Sequence, residues 1–409
     1  MSATQPPTTV PASEPSGYLG LLRMPGAAKF VLAGFFGRLP MSMLGLAVVV
    51  LISSTRHSYS LAGAVSATLT CAGAIGAPVL GSLIDRFGQR HILLMAVPHA
   101  AVLIGLCVLT LAHAALWSLF AAAALTGCSL PPVPSMLRAR WTFALGSGTA
   151  ATARALAFEA IVDELVFFVG PVLVTTLGAF VAPVSGVVCS GLFATVGCLL
   201  LATRRETEPR LVPRADGESG AMRIGGVRVL VASCVLIGTA FGTIDVGMIA
   251  FASAHGSSAG SGFLLAAVAS GSGCSAVWYG RRSWRAPLHR RFLSGCVVLV
   301  LSTSLLTLAA SIVAIVPLAF LAGTAISPVL IPGFGLVEAL VPRAMLTEGF
   351  TWVSTALAFG VGAGVTVSGR LIDAVGPSRA FLICPTVVVL AALLGLSGRG
   401  ALRRGRPTQ

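Results

Sequence analysis

From Lys29 onward the chain is a succession of apolar runs, each closed by a short polar or charged break. A helix of about 20 residues rises about 30 Å, enough to cross the hydrocarbon of a bilayer. Such a helix also satisfies its own backbone hydrogen bonds there. The pattern predicts spans at roughly 30–54, 61–83, 91–112, 115–137, 155–179 and 183–203, then at roughly 227–253, 258–279, 291–312, 316–339, 347–369 and 377–397. Twelve spans place both chain ends on one face of the membrane. The expected fold is an all-α integral membrane protein of two six-helix halves, 27–203 and 227–398. Residues 1–26, rich in Pro, Thr and Ser, are expected to be a disordered polar tail. They lack the basic start and apolar segment of a signal peptide. The stretch 204–226 is charged and broken by Pro and Gly, so it predicts a linker; 399–409 is a basic tail.

A short repeat supports inverted three-helix units. Residues 81–88 read Gly-Ser-Leu-Ile-Asp-Arg-Phe-Gly, and 369–376 read Gly-Arg-Leu-Ile-Asp-Ala-Val-Gly, so five of eight positions agree. The copies follow spans two and eleven. Each occupies the joint between the second and third helix of its unit, on opposite membrane faces. Two related halves suggest a molecule that rocks about a central site.

Composition excludes other classes. The chain has 409 residues, of which 56% are hydrophobic and only 10% charged. A soluble domain has about 25% charged residues. This rules out a soluble enzyme, a disordered chain and a DNA-binding domain. The net charge of +14 comes from 26 Arg and the single Lys29, clustered between the spans. The tails and even-numbered loops carry 23 of these basic residues and the other face three. That bias puts both termini in the cytoplasm and explains the positive charge without nucleic acid. The nine cysteines form no CxxC pair and read as small buried hydrophobes. No HExxH zinc motif is present, and Lys29 is followed by Phe30, so there is no Walker-type phosphate loop. No cofactor or metal is expected, and energy must come from a gradient or from the substrate itself.

The stretch Gly81-Ser82-Leu83-Ile84-Asp85-Arg86-Phe87-Gly88-Gln89-Arg90 resembles the loop 2–3 signature of the major facilitator superfamily, G-x-L-x-D-R-x-G-R-R. It departs at Gln89, where the family usually has a basic residue. The six-plus-six layout over 27–398 resembles the same family. The resemblance implies alternating access, a small-molecule substrate, a monomer, and a gate role for Gly81, Asp85, Arg86, Gly88 and Arg90. Physically, Gly81 and Gly88 permit a tight turn and close helix approach. Asp85 can accept N–H groups at a helix start or pair with Arg86 or Arg90. Drug–proton antiporters of the family often carry G-P-x-x-G-G in span five; here only Gly170-Pro171 matches. Residues 116–137 contain no charge, so the antiporters' span-four arginine is expected to be missing.

Charges within spans are costly unless paired, which makes them functional candidates. Arg38 lies nine residues after Lys29, and Asp163 nine after Arg154, at about the same depth. Glu159 and Asp163 share a helix face, whereas Glu164 points about 100° away. Arg38 is expected to pair with Asp163 or Glu159, either as a proton-coupling group or as a static tie between spans one and five. A nearby cation and dry surroundings act on a carboxyl's proton affinity in opposite directions. Asp245 in span seven is the acidic candidate of the second half. Glu338 and Glu348 are expected in interfacial pairs near Arg343, and His99 in span three as a packing residue. Gly360 and Gly364 give a GxxxG spacing for close helix contact.

The expected function is secondary transport at a bacterial inner membrane, as proton-coupled export of an amphipathic compound. The chain contains no Asn, which disfavours a site built to hydrogen-bond a polar nutrient. A proton-coupled sugar symporter is the alternative. A membrane-embedded enzyme or sensor would need a nucleophile–acid–base constellation or a soluble domain, and neither is visible.

Overall fold

The computed structural model describes residues 17–212, 220–256, 260–282 and 284–403. Among them are 12 helices long and apolar enough to cross a membrane, and no strand. Spans one to six are Ala27–Arg56, Tyr59–Phe87, Gln89–Leu111, Leu116–Leu145, Ala150–Phe180 and Ser185–Ala202. Spans seven to twelve are Gly225–Ala254, Ser261–Arg281, Leu288–Leu308, Ile312–Leu340, Arg343–Val375 and Pro377–Ser397. In the first half, span one packs on spans five and six, and span two on span four. In the second, span seven packs on eleven and twelve, and span ten on eight and nine. The large apolar clusters divide the same way, two within 21–202 and one mostly within 221–402. The halves meet through spans two and eleven, five and eight, five and ten, and four and eleven.

Three sequence expectations change. Span four runs to Leu145, not 137, as two helical segments, Leu116–Ser129 and Val133–Leu145. Pro131 and Pro132 lack the N–H groups that would carry the helix through. The apolar run resumes past the arginines with Trp141, Phe143 and Leu145, which places Arg138 and Arg140 inside the span. The expected lack of charge in span four is therefore overturned. With these two removed from the loop count, the bias is still 21 to three. Second, the part of the expected disordered tail that is described forms a helix, Gly17–Leu22, with Leu21 fully buried. Tyr18 donates its hydroxyl proton to the Ala276 carbonyl at 3.0 Å, under span eight. Third, Gly81–Phe87 belongs to the last turns of span two rather than to a loop. Of the expected linker and tails, residues 1–16, 213–219 and 404–409 lie outside the described residues.

The two repeat copies are one local device. Gly88 has φ +91° and its amide donates to the Ile84 carbonyl at 2.8 Å. Gly376 has φ +86° and donates to the Ile372 carbonyl at 2.9 Å. Each glycine ends its span and turns the chain into the next helix, in a backbone region open to residues without a Cβ. The GxxxG spacing also serves as expected. Gly360 and Gly364 of span eleven lie directly on the backbone of span seven, opposite Gly238 and Thr239.

Candidate transport site

Two polar sites sit on this frame, toward the end of the bundle where the chain's arginines concentrate, here the basic end.

The first is a buried ion cluster. Span five presents Glu159 and Asp163 one turn apart on one face. Arg38 of span one reaches both: one guanidinium nitrogen lies on Glu159, the other 2.9 Å from Asp163. Arg138 of span four completes the group, 2.6 Å from the second oxygen of Asp163. Two cations and two carboxylates sum to no net charge, so the group can be held out of water. Glu159 has a further donor in Trp141 Nε1, at 2.6 Å, and is fully buried. The Trp141 indole is itself buried edge-on to Phe30. Asp163 differs, because 20% of its side chain is accessible. Arg38 thus pairs with both expected acids, and a second cation, Arg138, pairs with Asp163. The sequence pattern hid Arg138 because the expected span four ends at 137, eight residues before its observed end at Leu145. The signal was the apolar run beyond the arginines.

Arg138 also joins the two halves. Its guanidinium carbon lies 3.9 Å from the centre of the Phe334 ring on span ten. Its Nε and Nη1 are buried without a hydrogen-bond partner among the described residues, which fits a guanidinium held against an aromatic ring.

The second site closes the basic end. Asp85 accepts the backbone N–H groups of Thr347 and Glu348 at 3.1 and 2.8 Å. These amides open the main helix of span eleven, Leu346–Val375, where the first N–H groups have no acceptor within the helix. Of the two expected roles for Asp85, the helix-start role holds. Arg86 and Arg90 are exposed; Arg86 stacks on Phe87 and the Arg90 amide donates to Glu208. Gly81 makes the approach possible, because a Cβ there would fall 2.7 Å from Thr351 Oγ1 and 3.1 Å from Glu348 Cα. Glu338 accepts the Gly148 amide at 2.7 Å, and Glu348 the Ala221 amide at 2.9 Å. Both expected interfacial acids therefore take backbone N–H groups here. Gln89 is buried, with its amide carbonyl 2.7 Å from Arg140 Nε. Arg140 also donates to carbonyls at the end of span six, so the cation of this joint comes from span four.

Between the halves lies a third feature. Glu164 has Ser272 of span eight, Asp163 and Asp245 of span seven as its electrostatic neighbours. Two acids from opposite halves are therefore close enough to act on each other. Sequence reading gave Asp245 but set Glu164 aside. His99 is fully buried beside Ser129, as expected of a packing residue.

The Major Facilitator Superfamily model matches residues 30–346. No curated protein matches the chain significantly. Among solved structures, the human organic anion transporter MFSD10 superposes with a TM-score of 0.70 at 17% identity, covering 90% of this chain and 99% of that one. A bacterial homologue of the iron transporter ferroportin, in its outward-facing state, gives 0.70 at 14% identity, over 91% and 99%. The E. coli fucose:proton symporter gives 0.68 at 13%, over 92% and 99%. The chain belongs to the Major Facilitator Superfamily. It is a multi-pass membrane protein with a transporter fold, and the family and its neighbours point to a transporter rather than an enzyme.

Proposed function

We propose that this protein exports an amphipathic cation in exchange for protons across the bacterial inner membrane, working as a monomer with its basic end and both termini in the cytoplasm. The observation that carries this reading is the cluster of Arg38, Glu159, Asp163 and Arg138, bound to the second half through Phe334. Ionised Asp163 holds Arg138 in place, and Arg138 holds span ten. A proton on Asp163 leaves two buried guanidinium groups to share one carboxylate, Glu159. Their repulsion loosens Arg138 from Phe334 and lets the basic end open. A proton taken from outside thus returns the carrier to the cytoplasmic side. There the proton leaves, and substrate binds between Glu164 and Asp245. The two acids favour a cation, and the lack of Asn favours an apolar body.

The test uses everted membrane vesicles with an acidic interior and a pH-sensitive dye. An amphipathic cation should dissipate the pH gradient in vesicles holding the wild-type protein and not in those holding Asp163→Asn. A sugar that instead acidifies the interior would replace this reading with uptake by symport. Equal dissipation by wild type and Asp163→Asn would remove Asp163 from coupling.

A further inference from the structure

On the outer side of the second half, a groove of about 450 Å³ runs between spans eight and nine, floored by span ten. Spans eight and nine both pack on span ten rather than closely on each other. The groove opens away from the central pathway. On span eight, Ser272, Ala276 and Gly280 face the first half, meeting Glu164, Tyr18 and Arg154. Cys274 and Trp278 lie two residues on, about 200° around the helix. Trp278 and Val298 are 50% and 46% exposed in the groove walls, which is an apolar face turned to lipid.

Its mouth at the basic end is of different chemistry. Trp284 stacks on Tyr279 at 4.6 Å and meets Trp278 edge-on at 5.5 Å. Arg282 lies over Trp278 and Trp284, and Arg291 over Tyr279 and Trp284. Tyr279 is 2% exposed and its hydroxyl has no hydrogen-bond partner among the described residues; Arg291 Nε is likewise buried and unpartnered among them. Both residues line the groove. A buried hydroxyl and a buried guanidinium N–H left unmade are costly, so an acceptor belongs there. No acid can serve from this region, because residues 246–337 contain no Asp or Glu, whereas 281–291 holds five Arg.

We propose that this groove binds an anionic phospholipid from the leaflet at the basic end. The phosphate accepts from Tyr279 Oη and Arg291 Nε. Trp278 and Trp284 lie at headgroup level, where indoles concentrate. One acyl chain runs inward along Gly295, Val298, Phe320 and Pro328. From Arg291 to Val298 the helix descends about 10 Å, from the interface into hydrocarbon. The site is separate from the ion cluster and does not depend on the transport reading.

The test is native mass spectrometry of the delipidated full chain in detergent, with phosphatidylglycerol or phosphatidylcholine of the same acyl chains, and with glycerol phosphate alone. Phosphatidylglycerol should be retained over phosphatidylcholine. Arg291→Gln should weaken its retention about fivefold, and Tyr279→Phe should do so to a smaller extent without altering a surface charge. Val298→Trp should reduce it by filling the acyl path. Arg205→Gln, a basic residue of the linker just after span six, should leave retention unchanged. Equal retention of the two lipids, or wild-type retention by both Arg291→Gln and Tyr279→Phe, would overturn the proposal. So would glycerol phosphate binding as well as the lipid, which would make the site one for a soluble anion.

Discussion

Replacing Asp85 by Ala removes the acceptor that ties span two to the start of span eleven. In the closed state the carboxylate takes two N–H groups, at 3.1 and 2.8 Å. In the open state those amides and the carboxylate meet water instead. Deleting an acidic helix cap costs about 0.5–2 kcal/mol. Loss of the negative charge at the helix's positive end adds about 0.3–1 kcal/mol. The sum, roughly 1–3 kcal/mol, shifts the balance between closed and open basic ends by about 5- to 150-fold. Amide hydrogen exchange reads this directly. Thr347 and Glu348 stand in the first turn, so their protection comes from Asp85 and not from the helix. In Asp85→Ala their exchange should accelerate by that factor, while amides in the middle of the same helix, such as Ala356, keep their rates. Unchanged exchange at Thr347 and Glu348 would refute the assignment of Asp85 as the clamp.

Gly81→Val should open the same joint sterically, because its Cβ meets Thr351 and the backbone at Glu348; the same two amides would exchange faster although Asp85 is intact. Gly88→Ala places a side chain at φ +91° and should cost about 1–3 kcal/mol, seen as a lower melting temperature in detergent. Trp141→Phe leaves a buried Glu159 oxygen without its donor and should cost about 1–3 kcal/mol, measured the same way. By the inverted repeat, exposed Asp373 is the twin of Asp85 at the opposite end. Asp373→Ala should slow transport while leaving the exchange of Thr347 and Glu348 at or below wild-type rates.

The span pattern was legible because each helix must be long and apolar to cross lipid, and a hydropathy window reads that directly. The Arg38–Glu159–Asp163 pairing was legible because a charge in lipid needs a partner and helix pitch fixes which residues share depth and face. Arg138 was not, for the opposite reason. A charge at a span's end looks like a loop residue unless its partner is known, and here Asp163 draws it inward. The partner of Asp85 was equally hidden. It is two backbone amides some 260 residues away along the chain, which have no signature in side-chain type. Glu164 and Asp245 share no sequence spacing; packing of the halves brings them together.

The central claim is that Asp163 carries the coupling proton. The most direct test compares two modes of one reconstituted protein, using a compound that dissipates the vesicle gradient. One mode is exchange of labelled for unlabelled compound with no gradient; the other is accumulation driven by an imposed pH gradient. Asp163→Asn should keep exchange, which shows a folded carrier, and lose accumulation. Accumulation at the wild-type level in Asp163→Asn would contradict the account.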